Sequence, residues 1–317
     1  MATIAHNLSR LLPRALFSWA QPKWHLLCEL WELYISQGGS IGRDLELSCW
    51  VINKPLGQKK VCVPARSFRE FRRIVRFGTN PNDLVFHWIN MIDDCEVLYD
   101  IGAANGHEAL STHSLHGCHT VFVEMFTPSI ESILKGVVLA TRSSSVPSNF
   151  DVVAAACDRE DRYAKVHLHN PPVAGGTYNS FDNLEAYCRG GRQGEKVWAS
   201  QWSHSVSIDS LHQLHGLPKP THVKMDIDGF EDRAINGATA TLESRHVRSW
   251  IIEINPGREA TVHKAMEAAG YCDIAHFVHY EEIDDCEDHL FVRNDLAEDY
   301  KKRLKEVRLK LYGDSPK

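Results

Sequence analysis

The sequence predicts an open, doubly wound α/β sheet preceded by a mixed, largely helical N-terminal extension. Two observations lead there. From residue 96 onward, short apolar runs alternate with longer helical patterns, and that alternation means parallel strands joined by crossover helices. The stretch LYDIGAANGHEAL, residues 98–110, shows how one such unit is joined: a buried strand, a turn through Gly102 and Gly106, then a helix opening at Glu108-Ala109-Leu110. Only residues with little side chain let something lie against a backbone that turns so sharply. A helix N-terminus also presents unpaired N–H groups, so the loop reads as a ligand site.

Taken in order, residues 1–95 form an accessory region. A packing helix is expected around Leu11, Leu12, Ala15, Leu16 and Trp19, and a second over 22–36 that Gly38-Gly39 ends. LELSCWVI and KKVCVPA read as strands around a turn at Pro55–Gly57. The segment 67–77 is helical, with Phe68, Phe71, Ile74 and Val75 on one side and Arg69, Arg72, Arg73 and Arg76 on the other, read as a solvated surface with an anion-binding face as the alternative. Asn80-Pro81 is expected to cap and start a helix reaching about Ile92. Beyond it, strands fit 96–101, 119–124, 150–156, 222–227, 249–254, 271–277 and 288–293, the last as an antiparallel hairpin partner. Helices fit 106–116, 127–140, 229–242 and 258–269. The segment 160–205 breaks this rhythm and reads as a long excursion on the ligand side of the sheet, and a charged helix over 295–312 closes the chain.

Composition narrows the function classes. The 317 residues suffice for one full-sized core with an accessory segment or for two modest domains; 43% hydrophobic and 24% charged residues are ordinary for a globular protein. A net charge of −6 argues against nucleic-acid binding through bulk positive charge. Nine dispersed cysteines without a CxxC pair read as reduced thiols in a cytoplasmic protein. No run is long enough to span a membrane, and Pro13 and Arg14 interrupt the only apolar stretch a secretory signal could use. None of the 18 histidines stands in a spacing suited to zinc beyond His167-x-His169, so no metal is expected.

The loop itself excludes some ligands. A dinucleotide fingerprint needs glycine where Ala104 and His107 stand, and a P-loop's Gly-Lys-Ser/Thr ending is absent. What remains is Asp100-x-Gly102-x-Ala104-x-Gly106, an acid followed by small residues, which suits an ammonium group rather than phosphates. Glu124 ends the next strand where an acid can accept both hydroxyls of a ribose. Ribose plus an amino-acid ammonium, without phosphate, is S-adenosylmethionine. Asp158, ending the third strand, is placed to face an adenine amine.

The most specific segment is Lys224-x-Asp226-x-Asp228-Gly229-x-Glu231. With Asp100, Gly102, Ala103, Asn105 and Gly106, then Glu124, Asp209 and Glu253, it resembles the FkbM family of S-adenosylmethionine-dependent methyltransferases over about residues 96–294. Two positions depart from that family's pattern. Asn105 stands one place late in the loop, and Asp228 replaces a Glu, shortening the carboxylate's reach. The resemblance implies a class I methyltransferase fold with a seven-stranded, mostly parallel sheet, the cofactor across the carboxyl ends of its first strands, and a hydroxyl acceptor on a sugar, glycolipid or small natural product. Methylating an alcohol needs alignment and a route for its proton. Asp226 is the first candidate base, followed by Asp228, Glu253 and His204; the alternative for Asp226 is a helix cap, and Glu231 reads as structural. Trp198, Trp202, Tyr178 and Phe181 form either a sugar-stacking wall or the private core of the excursion. A degenerate fold serving as a binding subunit is the other reading. It is disfavoured because a scaffold has no need of inward carboxylates, which are costly to bury.

Overall fold

The computed structural model describes residues 38–143, 149–169, 173–176, 179–182, 197–278 and 286–313; the helices expected within 1–37, and Tyr178, lie outside them. Strands β1 (Ser40–Asp44), β2 (Cys49–Leu56) and β3 (Lys59–Ala65) form an antiparallel sheet, with Gly57 at positive φ in the β2–β3 turn. Helix α1 (Phe68–Arg76) is capped by Ser67, whose side chain accepts from the Glu70 N–H, and it buries Phe71, Ile74 and Val75 as the spacing predicts. Lys54 reaches from β2 to donate to the carbonyls at the end of that helix, including Ile74 at 3.0 Å; burial lowers its pKa to about 8. Helix α2 spans Leu84–Met91 and starts later than Asn80-Pro81 suggests. Its cap is Asp83, which accepts from Phe86 N–H at 2.8 Å, because Asn80 closes its own turn on Asn82 and Asp83.

Then follow β4 (Val97–Ile101), α3 (His107–His116), β5 (His119–Val123), α4 (Thr127–Ser143) and β6 (Phe150–Val153). The strand expected at 150–156 stops at Val153; Ala156–Cys157 is β7 of a separate sheet. The described residues of the excursion are largely strand, with β8 (Arg162–Leu168), β9 (Ser180–Phe181) and β10 (Ala199–Val206) joining β7 in the order β7-β10-β8-β9. After α5 (Ile208–Gln213) and β11 (His222–Met225), the helix expected at 229–242 breaks into α6 (Glu231–Asn236) and α7 (Thr239–Ser244). The break falls at Gly237, where a Cβ would come within 2.5 Å of the Asp158 carbonyl oxygen. β12 (Ser249–Ile254), α8 (Glu259–Ala268), β13 (Tyr271–Val278), β14 (Glu287–Arg293) and α9 (Ala297–Tyr312) complete the order.

The seven-stranded sheet runs β13-β14-β12-β11-β4-β5-β6. All neighbours pair in parallel except β14, which is antiparallel to both β12 and β13. Counted along the chain, its strands stand in the order 6-7-5-4-1-2-3, the layout of a class I methyltransferase fold, with the topological switch between β4 and β11. Tyr99, Val121, Val223 and Trp250 face a core shared with α5, α6 and α8. Leu98, Phe122, Ile251 and Leu290 face a second core that also contains Ile52, Val63, Phe71 and Trp88, so the described part of 1–95 packs directly on the sheet. Trp88 Nε1 donates to Ser249 Oγ at 2.8 Å across that boundary.

Candidate active site at the carboxyl ends of the strands

The glycine loop is held chiefly by its own neighbours. Gly102 N–H and Ala103 N–H donate to the Val123 carbonyl at 2.9 and 3.3 Å, Ala104 N–H to Glu124 Oε2 at 2.8 Å, and Gly106 N–H to the Ala103 carbonyl at 2.7 Å. These four amides of the loop before α3 are thus engaged within the chain. The glycines answer to packing as well. Gly102 has φ +76°, and a Cβ there would stand 1.7 Å from the Asp226 carbonyl oxygen. Gly106, at φ +71°, precedes α3 and would bring a Cβ to 3.0 Å from the Phe122 ring. Ala103 is buried, and Ala104 takes positive φ without being glycine. Asn105 is buried with Oδ1 2.9 Å from His107 Nδ1, while its Nδ2 has no hydrogen-bond partner. Burial lowers the His107 pKa to about 4, so that ring is neutral.

The acids of the first strands, Asp100 in β4 and Glu124 after β5, and Asp158, which follows β7 rather than ending β6, differ in what surrounds them. Asp100 is fully buried, and its ammonium partner is Lys224 of the same chain, 3.4 Å away, rather than a group in the crevice. Lys224 Nζ also lies 2.8 Å from Glu108 Oε2 and 3.9 Å from Asp226 Oδ2. Burial raises Asp100 to about 6 against the pull of Lys224. The surrounding carboxylates, Glu108 first, outweigh burial at Lys224 and hold it well above its ordinary value. Glu124 accepts from Ala104 N–H through Oε2 and from Phe126 N–H through Oε1, each at 2.8 Å. Burial lifts it to about 7, against those hydrogen bonds. Asp158, expected to face an adenine, is held by two arginines of the chain. Arg162 and Arg233 both donate to it, at 2.7–2.8 Å for the Arg233 Nε and Arg162 terminal contacts; burial would raise its pKa, but these donors hold it below the usual range.

The acids after the topological switch stand together. Asp226, Asp228 and Glu253, at the ends of β11 and β12, each place a carboxylate oxygen within 4.8 Å of the others. The Asp226 side chain is 40% exposed. Asp228 holds positive φ, +57°, and Gly229 follows at +102°, a turn that folds both aspartates toward one point. Glu231 ties that turn: its buried Oε1 accepts from Gly229 N–H at 2.9 Å and Asn255 Nδ2 at 3.0 Å, and burial raises it to about 7. Asp226 does not cap the helix, since α6 begins beyond it with Phe230 at the cap position and no side-chain cap. Asp209 does serve a helix start, accepting from Ala240 and Thr241 N–H at 2.8 Å.

His204 is corrected. It is exposed on the outer face of β10, opposite Tyr163 of β8, with ring centroids 4.6 Å apart, while its neighbours Ser203 and Ser205 face inward. The carboxylate cluster does not include it. Trp202 stacks on Tyr163 at 5.4 Å, and Trp198 and Trp202 are exposed; Phe181 is buried. A cleft of about 740 Å³ opens where the β1–β3 sheet, the start of α4 and the excursion meet, lined among others by Trp50, Arg66, Phe126, Thr127 and Gln201. The roles of Lys224 as a bridge between Asp100 and Asp226, and of Arg162 and Arg233 as a clamp, escape sequence reading. Asp100 and Arg233 are remote along the chain from their partners, whereas Lys224-x-Asp226 and the i, i+4 spacing of Asp158 and Arg162 are local and could have suggested one arm of each.

No family model matches the sequence, and no curated protein matches it. Among solved structures the chain is similar to the methyltransferase FkbM from Methylobacillus flagellatus KT, at 13% identity and a TM-score of 0.43, over 62% of this chain and 44% of that one. It therefore spans under half of that protein's length. It is also similar to magnesium protoporphyrin IX methyltransferase (ChlM) from Synechocystis PCC 6803, solved with bound SAM, at 11% identity and 0.40 over 72% and 85% of the two chains. The M. jannaschii TYW2 in complex with AdoMet matches at 11% and 0.32 over 81% and 87%. The likeness is loose and bears on no individual residue of this chain.

Proposed function

We propose that this chain is an S-adenosylmethionine-dependent methyltransferase of the FkbM type, acting on a hydroxyl of a sugar, glycolipid or small natural product. The observation that most supports the reading is the contact of Gly102 with the Asp226 carbonyl, which sets the glycine loop and the Asp226–Asp228–Glu253 cluster side by side at the switch point of the sheet.

The residues fit the cofactor in part. Glu124 is fixed by two backbone donors, and each of its oxygens keeps acceptor capacity for a ribose hydroxyl. The unpartnered Nδ2 of Asn105 lies in the same loop. Ala103, Gly102 and Gly106 shape the loop, and Asp100 acts beneath it through Lys224. When bound, S-adenosylmethionine supplies a methyl group on a positively charged sulfur. The chain's own task is to align an acceptor oxygen and receive its proton. Asp226, exposed and beside the loop, is assigned that proton, with Asp228 and Glu253 orienting the acceptor. Leu168, Val173 and Gln201 of the excursion, with Trp50 and Arg66 of the N-terminal region, line a cleft that we assign to the acceptor.

The test is calorimetry of the full chain with S-adenosylmethionine and with NAD, followed by transfer of labelled methyl into pooled glycans, lipids and small alcohols. Binding of the first alone, with label in a hydroxyl acceptor, is expected. Binding without transfer would favour the binding-subunit reading, and failure to bind S-adenosylmethionine overturns both.

A further inference from the structure

A second cluster lies on the sheet face covered by α8. His263 of α8, Asp273 of β13 and His289 of β14 each bring a ligand-type atom within 4.8 Å of the others. They are far from any recognised metal spacing in sequence, and the fold assembles them. The β13–β14 pairing shifts register between Asp273 and Ala275. This bulge turns the Asp273 carboxylate onto its neighbours: Oδ1 accepts from Ala275 N–H at 3.2 Å, and Oδ2 lies 2.7 Å from His289 Nδ1. The His289 ring is buried and held from three sides, by His263 edge-on at 4.9 Å, His276 stacked at 5.7 Å and Phe291 stacked at 6.0 Å. Its Nε2 is buried with no hydrogen-bond partner and lies 3.4 Å from Glu287 Oε2.

Packing alone accounts poorly for a further imidazole, His263, brought against an Asp273–His289 pair that is already hydrogen-bonded. A divalent ion accounts for that convergence. We propose that His263, Asp273 and His289 bind a zinc-class divalent cation. His289 ligates through Nδ1, on the side of Asp273, and its proton moves to Nε2, where Glu287 accepts it. Metal-bound histidines commonly hand their other N–H to a carboxylate in this way. Two nitrogens and one oxygen suit zinc and the other late first-row ions rather than magnesium or calcium, and three protein ligands leave a fourth position for water. His263 and Asp273 are only half-buried, so an ion can enter from solvent. The ion would join α8 to the β13–β14 hairpin and does not depend on the methyl-transfer reading.

Cobalt(II), titrated into the chelator-treated full chain, reads the site by its visible absorption. One ion per chain is expected, with the intense bands of a four-coordinate centre, displaced by zinc and accompanied by a rise in melting temperature. His263→Ala and His289→Ala should each weaken cobalt binding by at least ~10–100-fold. Asp226→Asn should leave it unchanged, which separates this site from the carboxylate cluster. His289 is buried, so its variant is read together with circular dichroism; half-buried His263 gives the same test if that variant does not fold. Absence of the bands in the unmodified chain, or binding that persists unchanged in His263→Ala, overturns the proposal and leaves an Asp–His hydrogen bond only.

Discussion

The two halves of the crevice use the same residue types in opposite ways. Asp100 and Glu124, at β4 and β5, and Asp158, just after β7, are buried and meet groups of the chain itself: a lysine, two backbone amides and a pair of arginines. On the β11–β12 side, Asp226, Asp228 and Glu253 are partly exposed and gathered on one another. The first arrangement holds a loop in shape. The second keeps like charges close on a partly exposed surface, where water offsets much of their repulsion. An acid at a carboxyl strand end is therefore not evidence of ligand contact until its partners are known, and Lys224, touching Asp100 on one side and approaching Asp226 on the other, is where the two halves meet.

The joint between the halves should be the most fragile point. Gly102→Val places a β-branched side chain at positive φ against the Asp226 carbonyl, a clash larger than the ~1–3 kcal/mol of ordinary overpacking. The variant should fail to fold, as read by circular dichroism and solubility; a soluble variant with a native melting temperature would break the assignment of this glycine to packing. On the open side, Asp226→Asn should lower turnover by ~10²–10⁴-fold while changing stability by no more than ~0.5 kcal/mol. Turnover within a few-fold of the unmodified chain would move the base to Asp228 or Glu253.

On the engaged side, Asp158→Ala leaves Arg162 and Arg233 without their shared carboxylate and should cost ~3–5 kcal/mol, measured by chemical denaturation. Its affinity for S-adenosylmethionine, once folded, should be near that of the unmodified chain. The smallest effect concerns Glu124. Its folded pKa, about 7, is raised above the ordinary glutamate value by burial. The stability it contributes is thus complete below about pH 4.5 and is lost as pH rises through 7. Glu124→Gln should flatten that part of the stability–pH curve. It should also remove any rise in cofactor affinity over the same interval, since only the ionised carboxylate accepts from both ribose hydroxyls. An unchanged curve would show that Glu124 does not titrate there.

Much of this molecule is determined by local sequence. The seven strands of the large sheet, the antiparallel last strand, the turn at Gly102–Gly106 and the aspartate-glycine turn after β11 follow from apolar period, glycine placement and loop length, all of which act within a few residues, whereas β7–β10 and α5 are not legible in them. Local chemistry misled where two neighbouring residues competed for one job. Asn80 and Asp83 both suit a cap, and only the turn that Asn80 makes with Asn82 and Asp83 leaves the cap to Asp83. The single helix drawn over 229–242 breaks because the Asp158 backbone approaches Gly237 from 79 residues away.

The sequence by itself determined which residues could carry charge at the crevice, since Asp100, Glu124, Asp226, Asp228 and Glu253 all stand at strand ends. Only the tertiary structure decided what each of them meets. A carboxylate's behaviour depends on how much water surrounds it and which cation or amide reaches it, and those partners come from remote parts of the chain: Lys224 for Asp100, Arg233 for Asp158, Ala104 for Glu124. The same reason hides His263, Asp273 and His289 from any spacing rule. Their convergence is made by a helix laid across a bulged hairpin, and no period along the sequence records it.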